Sequence, residues 1–214
     1  MKKIFALLMA VVMCLSFAAC GKNDAENAND AEQTSATKLK LNITSVGQEI
    51  MFGSYPKTSD GAYDDVQWIV LDIQGDKALL ISKYAVEPKR SWDVSEFSDY
   101  MSIIAEKMFT EEEKSLIKAQ SIDGVESRMF LLNAEEVEKY MPEESNSLRL
   151  AQATGFAKNE GVTTYSNVSL SGCCNWVLRD GCWVGGQSGN KGKISDHTQK
   201  SYYGIRPAVW VSIA

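Results

Sequence analysis

The residues able to do chemistry are few. The chain has five cysteines, one histidine and five tryptophans. Cys173, Cys174 and Cys182 lie within one ten-residue stretch. Bonding the adjacent Cys173 and Cys174 directly strains the backbone. Cys182 is able to pair with either across the loop, which leaves one thiol over, so all three are disulfide candidates. Zinc calls for four ligands at paired spacings, and three thiols plus His197 do not provide them. No C-x-x-C pair is present for thiol redox work. One histidine argues against histidine-cluster metal sites and Ser-His-Asp machinery. The chain also lacks a glycine-rich phosphate loop, a G-x-S-x-G turn and an H-E-x-x-H helix. The plain reading of the three cysteines is small buried side chains or a single bridge.

Two arginines stand out because each lies inside an apolar, strand-like stretch: Arg179 in NWVLRDG and Arg206 in GIRPAVW. An arginine there needs a partner, since an unpaired buried charge is costly. Either a carboxylate or loop carbonyls fix it in place, or it captures an anionic ligand group; the structural role carries more weight. Trp68 and Trp210 fall in apolar strand patterns and belong to the core. Trp92 and Trp183 sit among polar neighbours and are better placed to stack on a ligand. Asp180, Asn190 and Asp196 are oxygen donors in the same C-terminal region, yet no ordered calcium loop contains them. His197, in a polar loop, reads as solvated. The sequence thus implies no metal and no cofactor. Its ligand-binding candidates are Trp92, Arg179, Asp180, Trp183 and Arg206.

The N-terminus carries an address. Met1-Lys2-Lys3 is followed by an apolar run of 14 residues, Ile4 to Phe17, interrupted only by Ser16, then Ala18-Ala19-Cys20. This is the three-part layout of a secretory signal. It falls short of the 18 or more apolar residues of a spanning helix. Phe17-Ala18-Ala19-Cys20 resembles a bacterial lipobox, with Phe17 where leucine is usual. The resemblance implies removal of residues 1–19 and acylation of Cys20 with fatty chains such as palmitate. The mature chain would then be held at the outer face of the cell membrane. Residues 21–38 contain no large apolar side chain and cannot build a core. They read as a tether spanning roughly 25 Å. Loss of Lys2 and Lys3 takes the formal charge from −6 to −8. Such a domain lacks the basic footprint of a nucleic-acid binder, and anionic surfaces repel it.

Length and composition predict one folded domain over 41–214, after the signal and a 20–40 tether. With 214 residues, 44% apolar and 23% charged, the chain is long enough for a core and is not disordered. Residues 46–56 read as a strand ended by Pro56. A hairpin follows, 66–73 and 77–82 around Gln74-Gly75-Asp76, so apolar on both arms that it belongs in the middle of a sheet. Phe97, Met101, Ile104 and Met108 have helical spacing. Thr110 with Glu113 is a capping box that opens a helix running through Lys118. A short strand over 128–132 precedes a helix capped by Asn133 and Glu136 and stopped by Pro142. A further helix is expected over 147–158. Short strands are expected over 175–179, 181–184, 192–195 and 205–213. The sum is an α+β domain with a mixed or antiparallel sheet and helices in the middle of the chain. First and last strands are expected to be neighbours.

An ordered set of motifs runs through these elements: Phe52-Gly53-Ser54-Tyr55-Pro56, Trp68-Ile69-Val70-Leu71, Leu79-Leu80-Ile81-Ser82, Phe130-Leu131-Leu132-Asn133-Ala134-Glu135-Glu136, Ala153-Thr154-Gly155-Phe156-Ala157, Asn175-Trp176-Val177-Leu178-Arg179 and Gly204-Ile205-Arg206-Pro207-Ala208-Val209-Trp210. Over residues 46–213 the chain resembles domain-of-unknown-function family 6273, found on Gram-positive bacteria. More loosely, the W-x-L-R … G-I-R-P-A-x-W text is similar to C-type-lectin-like and formylglycine-generating-enzyme-like folds. The family has no settled activity, and the resemblance implies surface binding more than catalysis. A copper oxidase of the formylglycine-generating type would need a matched cysteine pair, which the trio does not reproduce. Members often carry a second tryptophan before Leu-Arg and Ser-Pro after it; this chain has Val177 and Asp180-Gly181, which alters any ligand surface there. The expected function is non-catalytic recognition of a glycan, wall fragment or protein at the cell surface. The alternatives are a thiol- or metal-dependent extracellular enzyme and a structural or assembly lipoprotein.

Overall fold

The computed structural model describes residues 39–88, 96–142, 146–167, 171–196 and 202–213. Cys20 with its signal and tether, Trp92 and His197 lie outside the described residues. Residues 38–214 form one compact unit.

The expected hairpin sits inside the larger sheet. β1 (Glu49–Pro56), β2 (Tyr63–Gln74) and β3 (Lys77–Ser82) form an antiparallel meander. Gly75 takes φ +62° at the first position of the two-residue β2–β3 turn, the pattern of a type II′ hairpin. β1 bulges between Met51 and Ser54. Gly53 lies in that bulge at φ +71°, where a Cβ would stand 2.6 Å from the Phe109 ring. Trp68 Nε1 donates to the Phe52 carbonyl at 2.7 Å, and the Phe52 and Phe109 rings lie 4.8 Å apart. The phenol of Tyr55 donates to Glu87, which is buried in β4 (Glu87–Pro88). The FGSYP motif is therefore a packing device.

α1 (Phe97–Met108) occupies the expected span and buries Phe97, Met101, Ile104 and Met108. α2 (Glu111–Leu116) opens with the expected capping box but stops before Lys118. β5 (Ile117–Lys118) takes over because its backbone pairs with the last strand. β6 (Gln120–Ile122) and β7 (Val125–Ser127) make a small hairpin, followed by β8 (Met129–Phe130). α3 (Ala134–Tyr140) carries the expected Asn133–Glu136 box and ends before Pro142.

The helix expected over 147–158 is broken in two. α4 (Asn146–Arg149) ends where β9 (Ala151–Gln152) pairs with β10 (Cys173–Cys174). Thr154 then caps a new helix, α5 (Gly155–Asn159), by accepting from Ala157 N at 3.0 Å. A long-range pairing and a local cap together outweigh the helical propensity of the intervening alanines.

β11 (Trp176–Val177), β12 (Trp183–Val184), β13 (Ile194–Ser195) and β14 (Gly204–Ile205) complete the smaller sheet, in the order β13-β12-β11-β14-β4. Its β11–β14 pair is parallel. β15 (Ala208–Ser212) belongs to the larger sheet, so the strand expected over 205–213 changes sheets at Arg206-Pro207. Proline has no N–H for a ladder and restricts the residue before it, which suits a crossing point. β15 pairs with β3 on one side and with β5 and β8 on the other. It is not a neighbour of β1, correcting the expected adjacency. The fold is α+β.

Alternate residues of the central strands face two cores. Trp68, Val70, Leu80, Val209 and Val211 meet α1 on one face. Ile69, Leu71, Leu79, Ile81 and Trp210 meet Val137, Met141, Trp176 and Leu178 on the other. Both faces are covered, which is why these strands read as continuous apolar runs rather than alternating ones.

Candidate functional site

Arg206 lies at the sheet crossing and is 1% exposed. Its Nε donates to the Ser82 carbonyl and its Nη1 to the Leu148 carbonyl, both at 2.6 Å. The guanidinium stands 5.1 Å from the centre of the Trp176 ring. Burial pushes its pKa down to about 10. Arg149, which the sequence reading passed over, is equally buried. It reaches the Gly192 carbonyl at 3.0 Å and Glu138 at 2.7 Å, and its own carbonyl accepts the Trp176 indole N–H at 2.8 Å. Both arginines tie loops together around Trp176.

Arg179 is the exception, because it lines a pocket. Its Nη1 donates to the Leu131 carbonyl at 2.9 Å and to Glu136, and its Nη2 reaches Glu136 Oε1 at 3.1 Å. Its Nε pairs with Asp123 Oδ2 at 3.1 Å. Burial opposes the charge, but the Glu136 and Asp123 carboxylates outweigh it and hold the guanidinium pKa above its ordinary value. Glu136 also accepts the Asn133 N–H at 2.9 Å, so one carboxylate caps α3 and clasps Arg179. Asp180 Oδ2 accepts the Ala134 N–H at 2.8 Å, and its Oδ1 accepts the Cys182 N–H at 3.1 Å. Asp180 is a brace for α3 rather than a ligand-facing group.

Arg179 lines a pocket of about 360 Å³ beside α1. Phe97 and Met101 from α1, Ile122 and Val125 from the β6–β7 hairpin, and Met129, Phe130 and Leu131 give it apolar walls. Ser98 and Ser127 hydroxyls share a hydrogen bond at 3.1 Å. The hairpin turns at Asp123-Gly124, with φ +50° and +84°, a type I′ geometry. That turn places Asp123 against Arg179. The Asp-Gly pair between Ser121-Ile122 and Val125-Glu126 is the sequence signal that would have disclosed this hairpin. A second depression of about 400 Å³, lined by Lys57, Thr58, Ser59, Tyr84 and 153–155, contains no buried charged group.

Trp183 does not line the Arg179 pocket. It is half-buried, with its ring 5.1 Å from that of Tyr203, which in turn lies 5.7 Å from Tyr202. The sequence-predicted set therefore divides. Arg179 and Asp180 meet at α3, Arg206 sits at the sheet crossing, Trp183 joins an aromatic ledge, and Trp92 is outside the described residues.

Cys173, Cys174 and Cys182 are free thiols, with no bridge among them. Cys174 donates to the Ala151 carbonyl at 3.5 Å. Burial raises the pKa of Cys173 and pushes that of Cys174 up to about 12. Cys182 is pushed up to about 11 by burial and by the Asp180 and Asp196 carboxylates. None of the three is poised as a thiolate nucleophile near neutral pH.

The model of a domain of unknown function, DUF6273, matches residues 75–213. The chain belongs to this family. The DUF6273 match runs from the β2–β3 turn to the end of β15 and contains the whole Arg179 pocket. The FGSYP strand and all of β2 precede it, although they complete the same sheet. No curated protein and no solved structure matches the chain.

Proposed function

We propose that this DUF6273 protein is a bacterial cell-surface lipoprotein whose domain recognises an extracellular ligand without transforming it. The signal layout and the lipobox-like Phe17-Ala18-Ala19-Cys20 support the anchor, with the membrane as the partner reached through lipid. The observation that carries recognition is the pocket beside α1: apolar walls with one guanidinium at their edge, the usual make-up of a small-molecule site. Thiols held protonated favour binding over thiol catalysis. The Trp183–Tyr203–Tyr202 ledge supports a glycan as a second reading, since aromatic faces stack on sugars.

Two experiments test the proposal. The chain, expressed with its own leader in a Gram-positive host, is fed an alkyne-bearing fatty acid. Wild type is expected to be labelled and membrane-bound, and Cys20→Ala unlabelled and released. An unlabelled wild type overturns the anchor. For recognition, the mature chain is screened by thermal shift against glycans and peptidoglycan fragments. A ligand at about 100 times its Kd stabilises by about 2.7 kcal/mol, a rise of roughly 5–10 °C.

A further inference from the structure

We infer that the pocket beside α1 receives a small amphiphilic monocarboxylic acid, with its apolar body between α1 and the β6–β7 hairpin and its carboxylate on Arg179. This rests on the recognition reading and names the ligand class of that same site.

The two sides of Arg179 are unequal. Its terminal nitrogens are held by Glu136, whose side chain is 27% exposed and which is committed to capping α3. Its Nε faces Asp123, whose side chain is 71% exposed. Asp123 makes no other side-chain hydrogen bond among the described residues except to Arg179. Exposed ion pairs of this kind contribute little, so a ligand oxygen can take the place of Asp123 while Glu136 keeps the guanidinium aimed. Asp123 is then a resident stand-in for the ligand carboxylate.

The remaining walls select against other classes. A sugar or polyol needs several converging donors and acceptors. The Ser98 and Ser127 hydroxyls share one hydrogen bond, which leaves a single O–H between them to donate, and the Phe97, Met101 and Met129 side chains offer none. A neutral apolar ligand would leave the guanidinium edge unused. A polyanion would meet Glu136 and a chain of formal charge −6. One carboxylate on an apolar body matches what is present, and 360 Å³ lies within the range of small-ligand sites.

The test uses the full mature chain carrying Cys20→Ser, which needs no detergent, with methionine methyls labelled by carbon-13. The probes are octanoate and 4-phenylbutanoate, and their alcohols octan-1-ol and 4-phenylbutan-1-ol. The acids are expected to move the Met101 and Met129 methyl resonances and to bind at least about tenfold more tightly than the alcohols. Asp123→Asn keeps a residue suited to the type I′ turn and removes the competing charge. It is expected to tighten acid binding about two- to fivefold and leave the alcohols unchanged. Arg179→Gln is expected to abolish the acid–alcohol difference; if that variant does not fold, Asp123→Asn decides the matter. Equal binding of acids and alcohols overturns the carboxylate assignment and leaves recognition standing. Silence of both methyls with all four probes overturns the proposed ligand class, while the glycan and wall-fragment screen scores the recognition reading separately.

Discussion

Arg179 and Arg206 look alike in the sequence, each a lone cation among apolar neighbours, and the fold uses them differently. Arg206 is solvated by two main-chain carbonyls and an indole face. Removing it leaves those carbonyls unpaired and opens a void. Arg206→Ala is expected to cost about 3 kcal/mol, read as a fall in Tm of roughly 6–12 °C. Arg206→Lys is expected to recover little, because one ammonium does not reproduce a planar fork that reaches Ser82 and Leu148 together. The need for partners was legible from residue type alone. The partners were not, since Ser82 and Leu148 are 124 and 58 residues away. The cysteines teach the same lesson. Spacing allowed a bridge, but environment decides reactivity. At pH 8 a thiol with pKa about 11, against the ordinary 9.0, has a thiolate fraction about a hundredfold lower. Iodoacetamide is therefore expected to modify Cys182 about a hundredfold more slowly than N-acetylcysteine, with the rate still climbing above pH 10. A rate matching that of the free amino acid would mean that neither burial nor the Asp180 and Asp196 carboxylates hold the thiol protonated.

At the scale of elements, local signals held wherever the chain obeys them and failed wherever a distant strand intervenes. Both capping boxes were legible because Thr110 and Asn133 stand three residues before a glutamate. What local sequence could not show is that each glutamate has a second task. Glu113 accepts the Gly53 N–H at 3.1 Å, and Glu136 clasps Arg179. Thr154 is a cap with no such duty. Thr154→Ala is expected to cost about 1 kcal/mol, the usual worth of a cap. Glu136→Ala is expected to cost about 3 kcal/mol, because it also strands a largely buried guanidinium. Urea unfolding of the two variants separates these outcomes; equal losses would show that the Arg179 clasp adds nothing. The expected helix over 147–158 failed for the complementary reason. Its periodicity is real, but Ala151-Gln152 finds a partner in Cys173-Cys174, and Thr154 restarts the helix from an extended backbone. The site hairpin was legible in principle, since Asp123-Gly124 is a strong turn pair. Its flanking strands are three residues each, too short for alternation to announce them.

At the scale of the whole domain, the larger sheet is one object with two cores. β15 contributes Val209 and Val211 to one and Ala208 and Trp210 to the other, and β3 divides in the same way through Leu80 on one side and Leu79 and Ile81 on the other. A strand that alternates between two cores cannot leave one without disturbing its neighbours in the other. The cores are therefore expected to melt together, in one transition seen alike by far-ultraviolet circular dichroism, tryptophan fluorescence and calorimetry. The sharper form of this prediction uses one substitution per face. Val209→Ala and Trp210→Ala each remove apolar volume, at an expected cost of about 2 and 4 kcal/mol respectively. Each is expected to lower the single midpoint without splitting it. Arg206-Pro207, where the chain leaves the smaller sheet to enter the larger, extends this coupling to β14 and β4. Loss of the last strand is then not a trimmed end: ending the chain at Pro207 removes the partner of β3, β5 and β8 at once, and an insoluble product is expected. A soluble, cooperatively folding chain lacking residues 208–214 would show that the β1–β2–β3 meander stands without β15, and that the two faces are independent after all.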